Sequence, residues 1–241
     1  MATAVPWADL TCFVGRSAHI PQAITDLSSP VESVRRRAFL LLAHDLGWNE
    51  NLFEATPYAI VEILERLEHR EIPDAGDALE LLRRLGNGEA ADPESIVWHG
   101  QQAALLPLCR GLVEDGLELY VSYLADLAAR SGALFVISSF RNRVDEAEAV
   151  LRAAADSAET AESREEMLAA IDDLREWNEP EPDRPQLDPP KNWLEARVAR
   201  NKAAVARLQS GERPAPAKMG PLLSIRQRLI QLITRNRDWS T

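Results

Sequence analysis

The sequence is poor in the residues that mark disulfide-rich, membrane-spanning or metal-binding proteins. It has two cysteines, Cys12 and Cys109, which lie far apart and have no second cysteine or histidine pair near them at ligand spacing. Such cysteines are usually buried, reduced thiols in cytosolic proteins. The most apolar tract, residues 133–140, is too short to span a bilayer. The N-terminus lacks a basic region followed by an apolar core, so we expect no secretory signal and a cytoplasmic location.

The chain also lacks the compact motifs of common enzyme classes. It has no GxSxG nucleophile motif, no P-loop and no GxGxxG fingerprint. Its four histidines, His19, His44, His69 and His99, form no HxxxH pair, and His44 is expected to be a structural residue. The sequence therefore predicts no catalytic site, no metal and no cofactor.

Charge is distributed unevenly along the chain, whose net charge is −11. Residues 191–241 carry a net charge of +8, whereas the first 190 residues carry −19. An acidic body repels phosphates, which predicts that nucleic acid is not the main partner. It suits a cationic protein partner, because complementary fields speed encounter. The alternative is that the acidity only keeps the chain soluble and that the basic section packs on the acidic body.

The composition favours helix nearly throughout, because leucine, alanine, arginine and glutamate dominate while β-branched and aromatic residues are sparse. The clearest predicted helix covers residues 31–47, in which apolar residues recur at helical spacing. Ser29 is its predicted N-cap, and Pro30 occupies the first helical position. A shorter helix over residues 20–28 is predicted to pair with it as an αα-hairpin. Helix pairs then recur about every 40 residues, an interval typical of HEAT-type repeats.

Further elements are predicted from periodicity and from proline and glycine positions. Residues 133–140 are assigned to a helix, since a lone six-residue strand among helices is unusual, and the proline-rich acidic residues 179–190 to an extended linker. The predicted elements are a short helix or arm at 7–14, helices at 52–68 (starting near Pro57), from Pro73 to Gly86, at 101–130 with a break near Gly116, at 133–140, 144–157 and 163–177, and helices at 191–209 and 222–236. The segment Trp98-His99-Gly100 is predicted to mark a helix start.

Three segments carry a resemblance to a known family. SSPVESVRRRAFLLLAHDL, LFEATPYAIVEIL and DALELLRRLGNG resemble bacterial HEAT-like repeat proteins of actinomycetes and their relatives, closely over residues 5–90 and as generic repeats over 100–177. The resemblance implies an all-α fold: a right-handed superhelix of HEAT-like antiparallel helix pairs over residues 1–178. A linker at 179–190 would tether a basic C-terminal helical pair at 191–241. Some proteins of this kind are immunity proteins of polymorphic toxin systems.

The expected binding surface combines carboxylates with aromatic side chains near loops. Acidic residues can form a negative concave wall, although the same groups are also typical of solvated helix faces. A tryptophan at a loop is an attractive interface anchor, and it can equally pack beneath the loop. The predicted binding residues are Trp48, Glu50, Glu54, Glu62, Glu65, Trp98, His99, Asp172, Asp173 and Glu176.

These observations together predict a non-catalytic protein-binding module of the HEAT-like type. The favoured function is that of an immunity-type protein that occludes a cationic toxin or another basic protein, without contact with a membrane. One alternative is a HEAT-type DNA glycosylase, which would use tryptophans and one aspartate against an alkylated base and would need a basic groove. The other is a regulatory scaffold in a larger complex.

Overall fold

Helices dominate residues 5–178, the part of the chain that the computed structural model describes. They are α1 (Ile20–Asp26), α2 (Glu32–Gly47), α3 (Thr56–Glu68), α4 (Ala75–Gly86), α5 (Leu105–Glu114), α6 (Leu117–Ser122), α7 (Arg130–Ser138), α8 (Val144–Asp156) and α9 (Ala161–Asn178). None of these helices is long and apolar enough to cross a bilayer. The predicted linker at 179–190 and the predicted helical pair at 191–241 lie outside the described residues.

Short strands accompany the helices, in three two-stranded sheets. They are β1 (Thr11–Cys12), β2 (Gly15–Arg16), β3 (Asn51–Phe53), β4 (Ala90–Asp92), β5 (Ser95–Trp98) and β6 (Gln101–Ala104). β1 and β2 form an antiparallel hairpin, as do β5 and β6, whereas β3 pairs in parallel with β4. The fold is thus mostly helical with small sheets, and the prediction of a purely all-α fold is wrong in this respect.

The helices make two series of contacts. In one series, α2 packs on α4, α4 on α7 and α7 on α9. In the other, α1 packs on α3 and α3 on α5, while α6 packs on α8. Leucine and isoleucine side chains fill the space between the helices, among them the fully buried Leu42, Leu46, Ile60, Ile63 and Leu82.

Helical periodicity places the core-facing side chains of α2 correctly only in part, since Val31 of the predicted apolar stripe is exposed and Phe39 is buried outside that stripe. Ala38, Leu42 and Leu46 are buried on the predicted stripe. The helix begins at Glu32 with Val31 as its N-cap residue, so the prediction of Ser29 at the N-cap and Pro30 at the first helical position is wrong. Ser29 still supports its start, because its Oγ accepts a hydrogen bond from the backbone N–H of Val31 at 3.2 Å.

Several predicted helices are wrong at their ends, because short strands and turns occupy those residues. Residues 7–14 form turns and the start of the β1–β2 hairpin, and residues 51–53 and 101–104 are the strands β3 and β6. The helical tract predicted to reach residue 130 ends with α6 at Ser122. The prediction of a helix over 133–140 is confirmed in type, since α7 covers most of it.

The segment Trp98-His99-Gly100 is a hairpin turn and not the predicted helix start. His99 has φ +49° and Gly100 has φ +81°, and the two residues connect β5 to β6. Two consecutive residues with positive φ are the requirement of a type I′ turn, whose twist matches that of the flanking strands. This turn therefore places His99 at the tip of the hairpin.

Candidate functional site

An exposed cluster of aromatic rings lies where the β1–β2 hairpin meets the end of α2. Phe13 stacks on Trp48 with 5.1 Å between the ring centroids, and it meets the His44 ring edge-on at 4.9 Å. Phe53 lies 6.1 Å from Phe13. Phe13 remains 42% exposed and Trp48 40% exposed, which is a large apolar area to leave in water. We call Phe13, His44, Trp48 and Phe53 the aromatic cluster.

The loop that carries Trp48 adopts an unusual backbone conformation. Residues Trp48–Glu50 form a 3₁₀ turn in which Asn49 has φ +49° and Glu50 has φ +65°. Such values are uncommon for residues other than glycine, and they cluster at functional sites. The carbonyl of Glu50 accepts a hydrogen bond from the N–H of Glu89 at 3.0 Å, which holds the loop against the chain before β4. Trp48 is thus presented by a braced loop.

Glu54, a predicted binding residue, fastens the β1–β2 hairpin to the start of α3. Its Oε2 accepts hydrogen bonds from the backbone N–H of Thr11 at 3.0 Å and from the Thr11 hydroxyl at 2.8 Å. The carbonyl of Thr11 in turn accepts the N–H of Ala55 at 3.1 Å. Burial raises the pKa of nearby Tyr58, and the negative charge of Glu54 raises it further. These contacts give the Glu54 carboxylate a structural role.

Trp98 and His99 belong to a second aromatic group. The Trp98 ring lies 4.8 Å from Tyr58 and 4.7 Å from His99, and Tyr58 also meets Trp7 edge-on at 6.3 Å. Trp98 is half-buried, whereas His99 is exposed at the tip of the hairpin. Trp98 thus packs the β5–β6 hairpin onto α3, and His99 is the member of this group that faces solvent.

Five of the seven predicted acidic residues are divided between two helices. Glu62 and Glu65 lie on α3, where Glu62 forms an ion pair with an arginine one turn further on. The other three lie on α9, which packs on α7 and α8. Burial raises the pKa of Asp173, and the charges of Glu176 and Asp172 raise it further. The carboxylates of Asp172 and Glu176 thus act on Asp173 as like charges.

A buried carboxylate next to the aromatic cluster was missed by sequence reasoning. Asp45 is only 4% exposed, and its side chain accepts one hydrogen bond from His19 Nε2 and one from His44 Nδ1, each at 2.6 Å. An ionised carboxylate only accepts, so both rings donate to it. The carbonyl of Asp45 also accepts the N–H of Phe13 at 2.9 Å. In the sequence, the adjacent residues His44 and Asp45 were the signal that could have indicated this site.

The buried Cys12 completes this group. A carboxylate oxygen of Asp45, a ring nitrogen of His19 and the Sγ of Cys12 lie within 4.8 Å of one another. Burial raises the pKa of the Cys12 thiol and the charge of Asp45 raises it too, against the lowering effect of the Val14 and Gly15 backbone. A raised pKa disfavours the thiolate, which is the nucleophilic form of cysteine. We call Cys12, His19 and Asp45 the buried triad after the buried Cys12 and Asp45, whereas His19 is partly exposed.

The net charge of the described residues is strongly negative. Residues 5–178 contain 31 Asp and Glu against 15 Arg and no Lys, which gives −16.

No family model, no curated protein and no solved structure matches this chain. The relation to bacterial HEAT-like proteins therefore stays a prediction from the residues quoted above.

Proposed function

We propose that this protein is a non-catalytic binding module whose aromatic cluster anchors a basic protein partner. The observation that carries the proposal is the exposure of Phe13 and Trp48 on a braced surface. Tryptophan is enriched among the residues that dominate interface energies. A rigidly presented ring loses little conformational entropy when it is covered. The negative charge of the body would attract a cationic partner and speed its approach.

We further propose that the helices form the HEAT-like superhelix implied by the resemblance. The support is the order of helix contacts, in which α2, α4, α7 and α9 follow one another while α1, α3 and α5 form a second series. Stacked repeats, each packed on its neighbours, produce such an order. On this basis the favoured role is that of an immunity-type protein that occludes a cationic toxin.

The two alternatives are supported less well. A DNA glycosylase would need a positive groove, whereas the net charge of −16 on residues 5–178 opposes binding to phosphates. A regulatory scaffold would use the same aromatic surface, so the structure alone does not favour it over an immunity role. Gene neighbourhood separates these two, because a toxin gene beside this one is expected only for an immunity protein.

The binding proposal is tested with the full-length chain and two single variants. Trp48→Ala removes an exposed ring of the aromatic cluster, and Trp177→Ala removes a ring of similar exposure, 47%, at the end of α9. The partner is captured from the native host with wild-type protein, identified, produced in pure form and titrated by calorimetry. A hot-spot residue contributes at least about 2 kcal/mol, which is roughly a 30-fold change in Kd. We expect that loss for Trp48→Ala, no change for Trp177→Ala, and weaker binding at high salt.

A toxin partner allows a functional readout as well. Co-expression of wild-type protein should restore growth to cells that produce the toxin, and Trp48→Ala should restore it less well. The proposal is wrong if Trp48→Ala and wild type bind the purified partner equally. It is also wrong if the wild-type chain recovers only nucleic acid or a small metabolite.

A further inference from the structure

A thiol, an imidazole and a carboxylate converge below the aromatic cluster, from three separate elements. Cys12 lies on β1, His19 immediately precedes α1, and Asp45 lies in the last turn of α2. Their ligand atoms are all within 4.8 Å of one another. We propose that Cys12, His19 and Asp45 bind a zinc ion that joins the β1–β2 hairpin to α1 and α2. This inference goes beyond the proposed function, since partner binding by the aromatic cluster does not require a metal.

The donor set favours zinc among the common divalent ions. Magnesium and calcium prefer ligand shells made only of oxygen, whereas a thiolate with an imidazole and a carboxylate suits borderline-soft Zn²⁺. Three protein ligands leave one position of a tetrahedral ion for water or for a group of another molecule. His19 and His44 are both more than a third exposed, so an ion can reach the site from solvent.

The spacing of the donor atoms fits an ion after small movements. Zn–S bonds of about 2.3 Å and Zn–N or Zn–O bonds of about 2.1 Å place tetrahedral ligands roughly 3.3–3.6 Å apart. The His19 nitrogen and the Asp45 oxygen, now 2.6 Å apart across a hydrogen bond, must separate by less than about 1 Å. The thiol sulfur must approach by at most about 1.2 Å, which is the difference between the 4.8 Å limit and a sulfur–ligand spacing of about 3.6 Å.

Proton balance at the site is simple. Zn²⁺ displaces the proton of the Cys12 thiol, which leaves to solvent as the Zn–S bond forms. The ring nitrogen of His19 that binds the ion loses its hydrogen, and the other ring nitrogen carries one, so the imidazole stays neutral. Asp45 already accepts hydrogen bonds as a carboxylate and needs no change of protonation.

His44 would act as a positioning residue for the metal ligand Asp45. Its Nδ1 donates to Oδ1 of Asp45 at 2.6 Å, while the donor from His19 meets the other oxygen, Oδ2. Hydrogen bonds of this kind orient metal-binding carboxylates, and their loss typically weakens metal binding about 10–100-fold. The same ring packs on Trp48 at 4.6 Å, so the proposed metal site and the aromatic cluster share a residue.

The test is titration of the purified full-length protein, after treatment with a chelator, with Co²⁺ and then Zn²⁺. We expect one equivalent of Co²⁺ to produce the near-ultraviolet charge-transfer band of a thiolate–cobalt bond, and Zn²⁺ to abolish that band. The sequence contains two cysteines, Cys12 and Cys109. Cys109→Ala should therefore keep the band, and Cys12→Ala should lose it. His44→Phe retains an aromatic ring and should weaken Co²⁺ binding about 10–100-fold.

Stability gives a second readout that does not depend on the variants. One equivalent of Zn²⁺ should raise the thermal midpoint of the wild-type protein, since a ligand that binds only the folded state stabilises it. The proposal is wrong if the wild-type chain shows no thiolate–cobalt band at millimolar Co²⁺. It is equally wrong if Cys12→Ala binds Co²⁺ with unchanged affinity, which would assign the metal to other residues.

Discussion

Glu54→Ala should destabilise the protein by about 2 kcal/mol, because it removes the two hydrogen bonds that the Glu54 carboxylate accepts from Thr11. Each bond to an ionised carboxylate contributes about 1.5–3 kcal/mol when buried. These two are only partly buried, and water can reach Thr11 after the substitution, so we take about half of the summed value. For a folded unit of this size, the thermal midpoint should fall by roughly 4–8 °C. Urea unfolding followed by circular dichroism measures the change.

A double-mutant cycle tests the cause of this loss. Thr11→Val keeps the backbone N–H but removes the hydroxyl that donates to Glu54, and it should cost about 1 kcal/mol. The two substitutions should be non-additive by at least about 0.5 kcal/mol. Glu65→Ala, at an exposed position of α3, is the matched control and should stay within about 0.5 kcal/mol of wild type. A loss of unfolding free energy below about 0.5 kcal/mol for Glu54→Ala, together with additive effects of the two substitutions, would refute the structural role of Glu54 and favour a direct binding role.

Two further predictions concern single positions elsewhere in the fold. Burial and neighbouring carboxylates raise the pKa of Asp173, so its charged form opposes folding above the usual pKa of 3.8. Asp173→Asn should therefore increase the free energy of unfolding at pH 7 by about 0.5 kcal/mol after solvent screening, and it should raise the thermal midpoint. The gain should vanish at pH 3, and an equal gain at both pH values would contradict this cause. A Cβ at Gly88 would lie 2.5 Å from Leu52 Cγ, so Gly88→Ala should cost about 1–3 kcal/mol. Gly111→Ala, in open space on α5, should instead stabilise by about 0.5–1 kcal/mol in urea unfolding, and equal effects would contradict the packing argument.

The helices could be predicted from the sequence because their signal is local. In α4, Leu79, Leu82 and Leu85 return at helical spacing and all three are fully buried. The strands could not be predicted in this way, because they are only two to four residues long and too short for alternation to show. The turn at His99 was missed because type I′ hairpin turns are usually indicated by Asn-Gly, Asp-Gly or Gly-Gly, whereas this turn has His-Gly.

The candidate site was predictable only in part. Trp48 was identified because a tryptophan directly after a helix is visible in the sequence, and the structure places it in the exposed aromatic cluster. Its neighbour Phe13 was missed, because its position depends on a hairpin that the sequence did not predict. The buried triad was missed for a related reason: its members come from three elements, and only the folded chain brings Cys12 and Asp45 together.

The parallel pairing of β3 with β4 has a consequence for how the binding surface can vary. Asn51 pairs with Ala90 and Phe53 with Asp92, so the segment after α2 is hydrogen-bonded to the segment after α4. The chain that carries Trp48 is therefore unable to shift sideways without also moving a segment nearly forty residues away. Under the proposed function, substitutions in β4 would alter recognition without contacting the proposed partner, and selection for a new partner would be able to begin at that distance.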